Sequence, residues 1–236
     1  MASPISEPLR IALVAEGPTD RIVIEAALSA MLCERPFVLT QLQPEASEAF
    51  GPFGGGWIGV YRWCHQSALR GGGRVSGDPL FVNYDLLIAH LDADVAEHSY
   101  ADGTIEAPNT DLPLPCARAC PPPSATTNAL RSVLLSWCGE SDTPRAVVIC
   151  MPSKSTEAWI LAALFPDDQA VNAGVGGVEC WPDPEGRLAQ QPVRRRIRKS
   201  QRDYLGKRDA LCAAWPHLAV TLDEAQRFQR EFVAAI

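Results

Sequence analysis

The stretch IALVAEGPTDRIVIEAAL, residues 11 to 28, decides the fold because a buried strand gives way to a helix within it. The apolar run Leu9–Ala15 is short and bounded by polar residues, as in a strand covered on both faces. A glycine and a proline then break the strand, and proline is favoured in the first turn of a helix. We therefore predict a helix from about Thr19 to Leu32. Two carboxylates, Glu16 and Asp20, stand at this junction.

The rest of the chain repeats this alternation of strands and helices. Further strands are predicted at Phe37–Gln43, Asp85–Asp94 and Arg145–Pro152, and further helices at Trp57–Leu69, Ala125–Trp137 and Ser155–Phe165. Such alternation is typical of an α/β fold, so we expect a Rossmann-like, largely parallel sheet flanked by helices.

The domain organisation follows from where this pattern stops. We predict an α/β domain over residues 1–170, carrying a proline-rich insertion at about 102–124. Residues 171–236 are predicted to form a basic, partly helical C-terminal extension that packs on the same domain.

Composition limits the classes of protein to consider. The chain has 236 residues, a formal net charge of −7 and no run of about 18 apolar residues that would predict a membrane span. Its start, MASPISEPLR, lacks the charged and apolar regions of a signal peptide, which favours the cytoplasm and no membrane partner. In that compartment we expect the eight cysteines to be reduced thiols rather than a disulfide framework. Whether the chain forms a homo-oligomer stays open.

Three of the predicted strands end in or are followed closely by acidic residues, and ligands of open α/β sheets bind beyond such strand ends. The pairs are Glu16 with Asp20, Asp92 with Asp94, and Ser155 with Glu157. Because side chains alternate along a strand, the two acids of LDAD are expected to point to the same side. Each pair alone has an ordinary explanation: a complement to a helix N-terminus, a solvated loop, or an N-cap. Together they predict a site for one or two Mg²⁺ or Mn²⁺ ions, since hard cations prefer oxygen ligands.

The motifs VAEGPTD, LDAD and SKSTEAWILA, in this order, resemble the Toprim catalytic domain of topoisomerases, primases and nucleases. The similarity covers about residues 9–165. It is closest to nucleases of the overcoming-lysogenization-defect type and to small standalone Toprim proteins of bacterial anti-phage systems. The resemblance implies a Toprim-like fold with these metal ligands: Glu16, Asp20, Asp92, Asp94 and Glu157. It also implies these catalytic residues: Glu16, Asp92, Ser155 and a downstream lysine, for which Lys199 and Lys207 are the candidates.

The activity implied by this resemblance is metal-dependent hydrolysis of phosphodiester bonds in DNA or RNA, including tRNA, and the implied role is that of an effector of bacterial defence. The chain carries no ATPase phosphate-binding motif, so any nucleotide-driven partner would be a separate subunit. Two alternatives remain: a non-catalytic Toprim-like sensor or interaction subunit of a nucleic-acid-associated complex, and a phosphoryl or nucleotidyl transferase.

The segment RRRIRKSQRDYLGKR, residues 194–208, contrasts with the acidic remainder of the chain. Its basic residues are predicted to contact phosphates: Arg194, Arg195, Arg196, Arg198, Lys199, Arg202, Lys207 and Arg208. Tyr204 would add a stacking surface for a base. The alternative is a solvated helix face.

A zinc site is the weaker metal hypothesis. The cysteines of CARAC, Cys116 and Cys120, would need outside ligands such as His90 or His98 and lack the usual zinc spacing. Zinc is therefore not expected, and His90 is predicted to be packed in the core or to lie just behind the metal ligands.

Overall fold

Four parallel strands form the central sheet of the computed structural model, which describes residues 7–45 and 51–236. The strands are β1 (Leu9–Val14), β2 (Phe37–Gln43), β3 (Leu86–His90) and β4 (Val147–Cys150), in the order β2-β1-β3-β4. Each neighbouring pair is parallel. The first six residues, which belong to the start MASPISEPLR discussed for a signal peptide, lie outside the described residues.

The helices connect these strands and continue beyond them. They are α1 (Pro18–Leu32), α2 (Gly56–Arg70), α3 (Ser124–Trp137), α4 (Thr156–Leu164), α5 (Pro184–Ala189), α6 (Gln201–Leu205), α7 (Arg208–Thr221) and α8 (Asp223–Ala235). The sheet is therefore flanked by helices, and the prediction of a Rossmann-like α/β fold is confirmed at this level.

Both faces of the sheet are buried, which explains the nearly continuous apolar strands. In β3, Leu86 and Ile88 face the core under α1, α4, α7 and α8, while Leu87 and Ala89 face the core under α2 and α3. This alternation follows from the pleat of the strand.

The C-terminal segment shares the core of the α/β domain. Trp159 of α4 packs edge-to-face on Trp215 of α7 at 5.2 Å between ring centroids, and stacks with Phe228 of α8 at 6.1 Å. Arg131 of α3 forms a salt bridge with Glu231 of α8 at 2.5 Å. Residues 208–235 are thus two full helices that cover one face of the sheet.

Two expectations from the sequence are wrong in detail. The strand predicted at Asp85–Asp94 ends at His90, and residues 93–97 form a 3₁₀ helix. Its pairing partner β4 is only four residues long, and His90 and Cys150 form the last pair of the ladder. The alternation argument for the LDAD acids therefore does not apply.

The second correction concerns the cysteines. Cys120 and Cys180 are joined by a disulfide, so the expectation that all eight are reduced is wrong for this pair. The bond ties the proline-rich segment to the short 3₁₀ helix at residues 177–180. It also removes Cys120 as a free thiolate for zinc. Of the insertion predicted at about 102–124, residues 104–123 contain neither helix nor strand, whereas residues 102 and 103 end a 3₁₀ helix and residue 124 begins α3.

None of the helices in the described ranges is both long and apolar enough to cross a membrane.

Candidate metal centre

The site lies where the strand order reverses. β1 is followed in sequence by β2 on one side and β3 lies on its other side, so a crevice opens beyond the ends of β1 and β3. Glu16 follows β1, and Asp92 follows β3. The carboxylate Oε1 of Glu16 accepts a hydrogen bond of 2.7 Å from the backbone N–H of Asp92, which ties the two strand ends together.

A first group of possible ligands consists of oxygens alone. Glu16, Asp92 and Asp94 each offer one carboxylate oxygen, and these atoms all lie within 4.8 Å of one another. Asp94 is exposed on the 3₁₀ helix, and its backbone N–H donates to the carbonyl of Lys154 at 3.0 Å. The loop after β4 therefore holds the LDAD acids at the crevice in place of an extended strand.

A second group contains a nitrogen. Asp20, His90 and Asp92 are all buried, and one donor atom of each lies within 4.8 Å of the others. Thr156 holds the two carboxylates. Its hydroxyl donates to Oδ1 of Asp20 at 2.8 Å, and its backbone N–H donates to Oδ1 of Asp92 at 3.1 Å. The N-terminal turn of α4 thus positions acids from two other elements.

Glu157 lies in neither group. It is fully buried, and its Oε1 accepts from the Tyr204 hydroxyl at 2.5 Å and lies 3.3 Å from Lys199 Nζ. Its Oε2 has no hydrogen-bond partner among the described residues. Lys199 also contacts Glu185 at 3.1 Å, so α5 helps to place it. The structure therefore pairs Glu157 with a lysine, while its charge still acts on Asp92 and Asp94.

Of the remaining candidate catalytic residues, Ser155 and Lys199 lie at the site and Lys207 does not. Ser155 is the buried N-cap of α4, and its hydroxyl helps to hold down the pKa of Glu157. Lys199 is the candidate lysine that contacts a site acid, Glu157. Lys207 is exposed at the start of α7, and no contact with a site acid is found for it within the described ranges.

Electrostatics distinguish the crevice acids from Glu157. Burial, followed by repulsion from Asp20, raises the pKa of Asp92 to about 7. Burial and the neighbouring Asp92 and Asp20 raise the pKa of Glu16 well above its ordinary value. Burial also acts to raise the pKa of Glu157, but Lys199 and the Tyr204 hydroxyl outweigh it and the net direction is downward. The crevice acids repel one another and would be stabilised by a cation.

All eight basic residues of the 194–208 segment are exposed. Arg195 lies over the Phe165 ring at 4.9 Å, and Arg208 pairs with Glu25 at 3.4 Å. Four others have side chains without a hydrogen bond or ion pair to the described residues: Arg194, Arg198, Arg202 and Lys207. The interpretation of Tyr204 as a stacking surface is wrong, because its ring is buried and its hydroxyl binds Glu157.

Two residues of the site were not recognised as such in the sequence. Thr156 stands inside the quoted S-T-E motif, and its position at the first turn of a helix was the available signal. His90 was predicted to pack or to lie behind the ligands, yet its ring nitrogen is among the possible ligand atoms.

Known protein families, curated proteins and solved structures were all compared with the chain, and none of them matches it.

Proposed function

We propose that this protein is a divalent-cation-dependent nuclease of Toprim type. The observation that carries the proposal is the convergence of Glu16, Asp92 and Asp94 at the reversal of strand order, with one oxygen of each within 4.8 Å of the others. Three carboxylates at this spacing form the hard oxygen donor set that suits Mg²⁺ or Mn²⁺. Asp92 is buried and Glu16 is half-buried, and acids whose pKa values are raised in this way gain more from a cation than solvated acids do.

In this proposal Glu16, Asp92 and Asp94 hold the cation. A divalent ion there would supply an activated water and would stabilise the leaving oxygen of a phosphodiester. Lys199 adds a fixed positive charge near Glu157 and Asp94, where it can face the negative charge that develops on a phosphate. Ser155 and Thr156, at the start of α4, hold the neighbouring carboxyl groups in place.

The substrate class follows from the basic segment. Its exposed arginines and lysines adjoin Lys199 in the chain, and Lys199 contacts the buried Glu157. A nucleic-acid backbone bound by this segment would therefore pass near the acids. Together with the Toprim resemblance, this supports DNA or RNA, tRNA included, as the target and a cytoplasmic role in defence against phage. A separate ATPase subunit as partner belongs to the same proposal.

Cleavage assays with labelled plasmid, single-stranded DNA and total tRNA test the proposal. We expect cleavage with Mg²⁺ or Mn²⁺, none with EDTA, and a loss of at least about a hundredfold in Glu16→Gln and in Asp92→Asn. Glu34→Gln is the matched control, since Glu34 is exposed just beyond the C-terminal end of α1, whereas the crevice lies at the N-terminal end of that helix.

Three results would separate the alternatives. Full cleavage by Glu16→Gln would contradict a catalytic role for the crevice. Nucleic-acid binding without cleavage under any metal would favour the non-catalytic interaction subunit. Incorporation of labelled nucleotide or phosphate in place of cleavage would favour the transferase.

A further inference from the structure

His90 is an unusual residue to end a buried strand. It follows Leu86 and Ile88 on the face of the sheet under α1 and α4, and none of its surface is exposed. Neither ring nitrogen has a hydrogen-bond partner among the described residues. Leaving buried polar atoms unpaired costs free energy, so such a group needs an explanation.

The surroundings of the imidazole supply one. Nε2 lies 3.2 Å from Oδ1 of Asp92, although the ring is not aligned to donate a hydrogen bond to it. Two ligands at right angles around a cation, each bonded at about 2.1 Å, are about 3 Å apart. The separation of these two atoms therefore fits two ligands of one ion.

The two carboxylates still have room to coordinate. Asp20 accepts hydrogen bonds from the Gly17 N–H and the Thr156 hydroxyl, and Asp92 accepts one from the Thr156 N–H. An ionised carboxylate offers about four lone-pair sites, so each keeps acceptor capacity. Thr156 also fixes the orientation of both acids, as partners behind a metal ligand commonly do.

We propose that Asp20, His90 and Asp92 form a second cation position, which shares Asp92 with the oxygen-only group of Glu16 and Asp94. The two positions differ in chemistry. Imidazole nitrogen favours first-row transition metals, Mn²⁺ included, over Mg²⁺, whereas an all-oxygen set suits Mg²⁺ and Mn²⁺ alike. The two cation positions are therefore chemically different. We call the position of Asp20, His90 and Asp92 the inner position and the oxygen-only position the outer one; His90 makes the inner position select Mn²⁺ over Mg²⁺. This deepens the proposed function and rests on it for the outer position.

Electron spin-echo spectroscopy of Mn²⁺ bound to the unmodified protein tests the proposal without a variant. We expect a ¹⁴N coupling from a directly bound imidazole, and about two Mn²⁺ per chain, of which excess Mg²⁺ displaces about one. In His90→Gln the ¹⁴N coupling should vanish and the stoichiometry should fall to about one. Asp94→Asn is the matched variant: it should weaken the outer position and keep the ¹⁴N coupling.

The outcomes separate this inference from the proposed function. Mn²⁺ bound without ¹⁴N coupling would overturn the inference, because His90 would then serve as a packed partner of Asp92, and would leave the nuclease proposal standing. No Mn²⁺ binding at millimolar concentration would overturn both. A ¹⁴N coupling in a protein that cleaves no nucleic acid would support the cation site and contradict the nuclease.

Discussion

The hydroxyl of Tyr204, together with Lys199, connects the C-terminal segment to Glu157 at the site. It donates to Oε1 of the buried Glu157 at 2.5 Å, and Tyr204 itself is 1% exposed. Burial and the negative charge of Glu157 raise the pKa of Tyr204, so the hydroxyl keeps its proton and remains a donor. Tyr204→Phe removes this one oxygen and retains the ring.

The expected loss of stability in Tyr204→Phe follows from the type of hydrogen bond that is removed. A hydrogen bond to a charged group contributes about 1.5–3 kcal/mol to stability, and a buried carboxylate that loses its donor finds no water to replace it. For a chain of this size, a change of 1 kcal/mol moves the melting temperature by roughly 2–4 °C. Tyr204→Phe should therefore lower the melting temperature by about 3–12 °C.

Urea denaturation and thermal melting in EDTA measure this change. Tyr84→Phe is the control, since Tyr84 is partly buried and its hydroxyl makes no hydrogen bond within the described ranges, and it should shift stability by roughly 0.5 kcal/mol or less. A double-mutant cycle of Tyr204→Phe with Glu157→Gln should show a coupling of about 1 kcal/mol or more. A destabilisation below about 0.5 kcal/mol together with zero coupling would refute the reasoning.

Two further predictions concern pH and salt. Burial raises the folded-state pKa values of Asp92 and Glu179 to about 7. The metal-free protein should therefore lose stability as pH rises from 5 to 8, by up to about 1.4 kcal/mol per pKa unit, whereas its affinity for Mn²⁺ should increase. A melting temperature in EDTA that rises over this range would contradict the predicted loss of stability. Replacing four exposed basic residues with alanine should flatten the salt dependence of nucleic-acid affinity by about 0.7–0.9 log unit per lost phosphate contact. Arg230→Ala, which removes an exposed arginine outside the 194–208 segment, is the control and should leave the slope unchanged. Unchanged salt plots in the fourfold variant would contradict a role of the segment in substrate binding. The four residues are Arg194, Arg198, Arg202 and Lys207.

The choice between the two candidate lysines depends on how the chain folds back after α4. Lys199 reaches Glu157 because α5 presents Glu185 to it and because α6 places Tyr204 on the same carboxylate. Lys207 lies past α6 and faces solvent. Their positions in the sequence carry no signal for this difference, since both lie in the same basic segment, residues 194–208.

The sequence by itself determined the layers of the fold and the acids beyond two strand ends. Apolar runs buried on both faces, alternating with helical periods, leave little besides a parallel sheet between helices. Once β1 and β3 are neighbours, Glu16 and Asp92 must meet, because parallel strands bring their carboxyl ends to one edge.

Only the tertiary structure decided where β3 ends and which side chains complete the crevice. Strand length is set by pairing, and the short β4 stops the ladder at His90, which no local pattern encodes. His90, Asp20 and Thr156 come from three elements far apart in the chain, and they meet because α1 and α4 begin at the same edge of the sheet. Local periodicity reports which face a residue occupies, whereas the partners across that face depend on how distant elements pack.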